Sequence, residues 1–277
     1  MPPKSKKGGA ITIAGDILKV DLANGQSINT SPGSLVYMKG AIGKGEVNIG
    51  SLGTAFARSF TGQDFFLTKY TGGSTGGSIA LSLPFPGDIV EIPLRENESY
   101  RLSKGCLLAC TNNIKLTAAT QIQGILGIGQ GEGFFMPLAT CMNGNGRIWL
   151  GGFGKFEKHE LKDASETMIV DNGIFLACSN NITPTIVQLG VSLWSTFAGG
   201  EGFGMEFKGP CIVYTQSKNF NDFLVQISRE PPSSFGEGMN KKIQENVGEK
   251  VGDALTSWLT SSNKGGARSK RMKPSKK

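Results

Sequence analysis

The stretch SKGCLLACTNNI at residues 103–114 returns as DNGIFLACSNNI at residues 171–182. The glycine, the Leu-Ala-Cys run and the paired asparagines coincide, with Gly105 and Gly173 standing 68 residues apart. A weaker version, SPGSLVYM at 31–38, places Gly33 another 72 residues upstream. A second landmark keeps step with the first. It reads GQDFF at 62–66, GEGFF at 131–135 and GEGFG at 200–204, so that Phe65, Phe134 and Phe203 are spaced 69 and 69. A third landmark, a turn glycine feeding an alternating strand, follows each of these: PGDIVEIPL (86–94), GNGRIWLGG (144–152) and KGPCIVYTQ (208–216). Landmarks in so constant a register define one module used three times.

Each copy carries the period of two that marks half-buried strands. In DIVEIPL, Ile89, Glu91 and Pro93 fall on one face and Val90, Ile92 and Leu94 on the other. Glycine reaches 40 residues and phenylalanine 16, while charged residues are only 18%, a profile of short strands and tight turns. A module of roughly 70 residues is marginal alone, so the copies are expected to bury one another's flanks. The predicted fold is all-β, with modules at 11–97, 98–165 and 166–230.

The ends differ from the body. After the breaker REPPSS at 229–234, Met239, Ile243, Val247, Val251, Leu255 and Leu259 recur every four residues, with Trp258 beside them. This pattern predicts an amphipathic helix over 238–262, roughly 30 Å long. Gly248 and Gly252 each weaken it by about 1 kcal/mol relative to alanine, so it needs a surface: the β body, a partner helix or a membrane. Basic tails flank the chain at 1–10 and 263–277. Lys4, Lys6, Lys7, Lys264, Arg268, Lys270, Arg271, Lys273, Lys276 and Lys277 have no acidic neighbours, and without these ten cations the formal charge of +7 becomes −3. Such tails are expected to be disordered and to bind polyanions through counterion release, or to act as plain solubilising or anchoring termini.

Several stretches mimic catalytic motifs. In GIGQGEGFF (127–135) the sixth position of a dinucleotide fingerprint is Glu132, whose carboxylate would repel phosphate. In GGSTGGSI (72–79) Ser78 stands where a phosphate-binding lysine belongs. Gly72 to Gly76 fit the G-x-S-x-G pattern around Ser74, and acidic residues followed by His159 supply the order of a hydrolase triad. The stretch nevertheless lies between the strand patterns DFFLTKY and SIALSL, where a hairpin loop is expected rather than a strand-to-helix elbow. His159, in FEKHELKD, reads as an exposed turn residue, and as the chain's one histidine it excludes a His-rich metal site. Cys106, Cys110, Cys141, Cys178 and Cys211 sit in apolar runs and read as small core residues in a reducing compartment. Asp64, Glu132 and Glu201 recur at one turn and are expected to satisfy backbone donors. No catalytic, cofactor-binding or metal-binding residue is expected. No apolar run reaches the roughly 18 to 20 residues that span a bilayer, and MPPKSKKGG shows no apolar signal segment. The protein is expected to be intracellular, soluble or peripheral.

The repeated G-x-F/L-L-A and G-G-E-G-F landmarks, with SPGSLVYMKG, GTAFARSFTGQDFFLTKYTG around Arg58, LPFPGDIVEIPL and FKGPCIVYTQS, resemble the mitochondrial-biogenesis family named for altered inheritance of mitochondria. The resemblance covers about residues 15–220. It implies three TRAP-like β-sandwich modules in pseudo-threefold arrangement, a tendency to associate into rings, and no catalytic residues. The tails and the segment 238–262 lie outside it.

The leading functional expectation is a non-enzymatic scaffold or assembly protein that works by protein–protein contacts of the triplicated body and forms homo-oligomers, a ring or a trimer among them. Met239, Ile243, Val247, Val251, Leu255, Trp258 and Leu259 would dock on partners or on a membrane surface, and mitochondrial and virion association are both compatible with it. The alternative is a nucleic-acid-binding or virion-associated structural protein that uses Lys264, Arg268, Lys270, Arg271 and Lys273. A hydrolase at Ser74 is a third class.

Overall fold

The computed structural model describes residues 9–43, 45–49, 66–118, 136–171, 173–188 and 203–229. Within them the fold is all-β apart from one helix. The first strands are β1 (Ile11–Ala14), β2 (Ile17–Leu22), β3 (Ser27–Thr30), β4 (Leu35–Ile42), β5 (Glu46–Ile49) and β6 (Phe66–Ser82). Next come β7 (Gly87–Arg95), β8 (Ser99–Leu102), β9 (Leu107–Cys110), β10 (Ile114–Ala118), β11 (Pro137–Cys141) and β12 (Asn145–Phe153). The last are β13 (Phe156–Leu161), β14 (Thr167–Asp171), β15 (Phe175–Ser179), β16 (Thr185–Gln188), β17 (Phe203–Lys208) and β18 (Cys211–Gln216). Helix α1 (Phe220–Arg229) follows and belongs to a separate compact unit.

One pairing scheme recurs in three consecutive sets of strands. β12 lies between β7 and β9, while β11 lies between β8 and β10; likewise β18 lies between β13 and β15, while β17 lies between β14 and β16. In the first set a single strand fills both central places. The C-terminal half of β6 pairs with β2 and β4, and its N-terminal half with β3 and β5. Neighbouring sets then share sheets, because β3 pairs with β9 and β8 pairs with β15.

Side-chain alternation places the cores. In β2, Leu18, Val20 and Leu22 are buried while Lys19 and Asp21 are exposed, the pattern of a strand with one wet face. β12 differs, being buried on both faces from Ile148 to Phe153. Its Trp149 packs with Leu18, Val20 and Ile28 in one core, whereas Ile148 and Leu150 pack with Ile92, Leu102 and Tyr214 in a second. A third core gathers Val170, Phe175, Phe207 and Val213, where the rings of Phe175 and Phe207 stack at 5.6 Å. The strand β12 is thus a wall with a core on either side, and its sequence IWLGGF from Ile148 to Phe153 lacks the polar residues of a half-exposed strand for that reason.

Three expectations are corrected. Strand β7 was expected to close the first module at 97, but it pairs with β12 and opens the second set; β13, expected to close the second at 165, pairs with β18 in the third. The counterpart of GNGRIWLGG in the first set is therefore the C-terminal half of β6, not PGDIVEIPL. The glycine-rich stretch at 72–77, expected as a hairpin loop, is continuous strand within the 17-residue β6. Finally, residues 220–229, assigned to the third β module, are helical.

The glycines of β6 have a steric purpose, since the strand changes sheets here. Gly76 adopts φ +70°, where L side chains are strained, and a Cβ on Gly77 would collide with the backbone carbonyl oxygen of Lys39. Replacing Gly77 by alanine is expected to cost about 1–3 kcal/mol, read as a lower urea midpoint. Ser74→Ala, a few residues away at an exposed position of the same strand, should leave the midpoint in place.

Candidate interaction surface

Strands β13 and β14 are consecutive in sequence but lie in different sheets, and an open groove of about 410 Å³ runs along them. Phe156, Met168, Ile169 and Val170 give it apolar walls, and His159 and Thr215 add polar groups. The His159 side chain is half-buried on β13, opposite Val213, which corrects the expectation of an exposed turn. Its Nε2 lies 3.0 Å from Thr215 Oγ1 and 4.0 Å from the Glu157 carboxylate. Ser74, its imagined partner in a triad, sits within β6, with strand rather than helix after it. Among the described residues no group of three or more His, Cys, Asp or Glu side chains could hold a metal. The groove therefore offers mainly apolar surface, the chemistry that receives a side chain.

Among the described residues, large apolar side chains are exposed singly at Ile13 on β1, at Met142 after β11 and at Ile169 on β14, and in groups at Val36, Tyr37 and Met38 on β4 and at Phe223, Leu224 and Ile227 on α1. Among the described residues β4 pairs with β6 and β14 with β17, so each has one edge with no strand beside it. Such an edge is a template for another chain, and adjacent apolar surface marks a contact site. On α1, Phe220, Phe223, Leu224 and Ile227 have helical spacing along one stripe, with Phe220 and Phe223 rings 6.5 Å apart. Asp222 in its first turn suits the positive end of the helix dipole. The spacing of this stripe was readable in NFNDFLVQI. The strand edges were not, because exposure there depends on which neighbour is missing.

The cysteines are buried free thiols, as core packing requires. Burial pushes Cys106, Cys110 and Cys178 from near 9 up to about 12, although Arg101 draws Cys178 partly back. Arg101 is itself buried on β8. Its Nη2 is 3.4 Å from Thr183 Oγ1, while Nε and Nη1 have no partner among the described residues. The proposed docking residues Met239, Ile243, Val247, Val251, Leu255, Trp258 and Leu259, the tail residues Lys264, Arg268, Lys270, Arg271 and Lys273, and the turn carboxylates Asp64, Glu132 and Glu201 all lie outside the described residues. No described helix is long and apolar enough to cross a membrane.

Comparison with known proteins extends this description. The family model described as Mitochondrial biogenesis AIM24 matches residues 11–218. An uncharacterised protein of Streptococcus pyogenes serotype M6 is 30% identical over 226 residues, covering 79% of this chain and 88% of the relative. The crystal structure of a Streptococcus pyogenes protein superposes with a TM-score of 0.62 at 27% identity, covering 80% of this chain and 99% of the other.

Two measurements probe the buried groups. Between pH 9 and 12 the unfolded chain releases thiol protons that the folded chain retains, so stability holds below pH 9 and falls as the pH rises toward 12. Urea midpoints should be lower at pH 10 than at pH 8, and by a smaller margin in Cys110→Ala. Separately, Arg101→Met removes a buried charge that lacks full pairing among the described residues and should keep or raise the midpoint at neutral pH.

Proposed function

Because the chain belongs to the Mitochondrial biogenesis AIM24 family, whose Streptococcus pyogenes relative is itself described as uncharacterised, we propose that it is a non-enzymatic scaffold or assembly protein acting through protein–protein contacts. The observation that carries this reading is the run of exposed apolar residues Val36, Tyr37 and Met38 on β4, a strand with one edge that has no strand beside it among the described residues. Single exposed apolar residues are ordinary on a protein surface; clusters beside unpaired backbone groups are binding sites. The residues weighed for catalysis support it from the other side, since Ser74 stands in an uninterrupted strand and His159 is held by Thr215.

In this reading the β body is the rigid element and the appended segments add further points of attachment, so that several weak contacts reinforce one another. The stripe Phe223, Leu224 and Ile227 on α1 is the described part of that equipment. The segment around Met239, Ile243, Val247 and Trp258 would extend it, and the basic tail from Lys264 would add charge. A specific feature favours a second reading: ten tail cations without acidic neighbours are suited to nucleic acid, whose binding would fall steeply with salt.

The test is affinity purification of the full-length protein with mass measurement, beside a version ending at Pro232. The scaffold reading expects the full-length protein to carry companions or further copies that the short version holds more weakly. If both give one bare monomer, that reading fails. Salt-sensitive binding of RNA or DNA that disappears on deleting 264–277 would favour the second reading instead.

A further inference from the structure

Asparagine followed by glycine is the peptide step most prone to attack on itself, because glycine has no side chain to keep its backbone nitrogen away from the asparagine amide. The chain has four such steps, at Asn24–Gly25, Asn143–Gly144, Asn145–Gly146 and Asn172–Gly173. The fold treats them differently. The Gly25 N–H donates to Gly72 O at 2.9 Å and the Gly173 N–H donates to Asp171 Oδ1 at 2.7 Å, so both nitrogens are engaged. Gly146 is buried in the ladder between β12 and β7. A Cβ there would meet Ile114 Cδ1 at 2.6 Å, and the backbone has no room to turn.

Asn143–Gly144 is the exception. Both residues are exposed in the connection from β11 to β12, and neither the Gly144 N–H nor the Asn143 side chain makes a hydrogen bond among the described residues. A Cβ on Gly144 would meet nothing within 4 Å, so the space around the step is open. The peptide between the two residues is also polarised. The Asn113 amide Nδ2 donates to Asn143 O at 2.7 Å, which draws electrons from the nitrogen of the same peptide and makes its N–H easier to remove. The deprotonated nitrogen is the nucleophile.

We infer that Asn143 is a self-modifying site, converting to aspartate and isoaspartate in the folded protein with water as the co-reactant. The Gly144 nitrogen gives up its proton and bonds to the Asn143 Cγ, while the Cγ–Nδ2 bond breaks and the amide nitrogen, taking up a proton, leaves as ammonia. Water then opens the resulting succinimide. Cleavage of the new Cγ–N bond yields aspartate, and cleavage of the original C–N bond yields isoaspartate, whose main chain is longer by one carbon. The change falls on a strap. Asn113 Nδ2 also donates to Asn145 O at 3.1 Å, and Met142 N donates to Asn113 O at 2.9 Å, so one asparagine fastens the β9–β10 turn to the β11–β12 turn. The extra carbon of isoaspartate moves the residue 143 carbonyl off Asn113 and loosens that strap, and either product adds a negative charge. This inference is independent of the scaffold reading.

The test is to age the full-length protein folded and, in parallel, unfolded in concentrated urea. Each amide-to-acid conversion is then located by fragment masses after digestion, and a carboxyl methyltransferase specific for isoaspartate marks the longer product. In the folded protein Asn143 should convert roughly tenfold faster than Asn24 and Asn145, which react only after local opening. In urea the steps should react at similar rates. Asn143→Gln, at an exposed position without side-chain bonds, should start with the wild-type urea midpoint and keep it on ageing, whereas the midpoint of aged wild type should fall. Equal rates at Asn143 and Asn24 in the folded protein would overturn the assignment, and so would conversion at Asn143 that only tracks the unfolded fraction. An unchanged midpoint in fully converted wild type would overturn the loosening of the strap.

Discussion

Every strand of a sheet has two edges, and the backbone N–H and C=O groups on each must find partners or face water. The rest of this structure depends on how that requirement is met where consecutive strand sets join. β3 passes its free edge to β9 and β8 passes its own to β15, so that the sheets run through the joints without a break. Once those edges are matched, the side chains behind them have fixed destinations. Leu108 and Trp149 enter the core of the first set, and Leu176 and Tyr214 enter that of the second. Backbone pairing and core packing are here one constraint, because a slip of one residue would turn every side chain of the joining strand to the wrong face.

The sharing also explains why the strands differ so much in composition. β2 faces water on one side and alternates, whereas β12 has a core on each side and carries glycine, tryptophan and aliphatic residues with little polarity. Its one polar fringe is well used. The Trp149 indole N–H donates to Glu91 Oε2 at 2.9 Å, and the Arg147 guanidinium lies 5.3 Å from the Trp149 ring centroid while it approaches the Glu91 carboxylate at 3.6 Å. A buried indole with its N–H satisfied adds apolar area without an orphan donor. The arrangement suits a wall that must be filled from both directions.

Much of this was legible in the residues. The likeness of SKGCLLACTNNI to DNGIFLACSNNI reports that β9 and β15 occupy equivalent places, and period-two alternation marks the half-exposed strands. What failed was the alignment of the first copy. PGDIVEIPL has the look of GNGRIWLGG because both are alternating strands after a glycine, and pattern alone does not tell a first strand of a set from a last. The stretch TGGSTGG misled for a related reason. Glycine clusters signal turns, but they also allow a strand to bend sharply against neighbouring backbone, as Gly77 does against Lys39. As for the candidate surface, Val36, Tyr37 and Met38 look like core residues by type. Their exposure is a property of what does not lie beside them, which no local pattern records.

In the first strand set Tyr37 of β4 faces Ala80 of β6, the reverse of Ala109 of β9 facing Trp149 and of Ala177 of β15 facing Tyr214. This reversal carries a consequence for the history of the chain. Units that arise by duplication begin as interchangeable parts, and recombination among them is at first harmless. Here the large residue lies on the opposite side of the ladder in one copy alone. Exchanging β4 for β9 would set Tyr37 against Trp149 in one wall and leave two alanines facing each other in the other. Each hybrid would fail sterically, the first by crowding and the second by a void. The copies are therefore locked into their order along the gene, and a family descended from this arrangement is expected to vary by paired substitution across the strands rather than by shuffling of its parts.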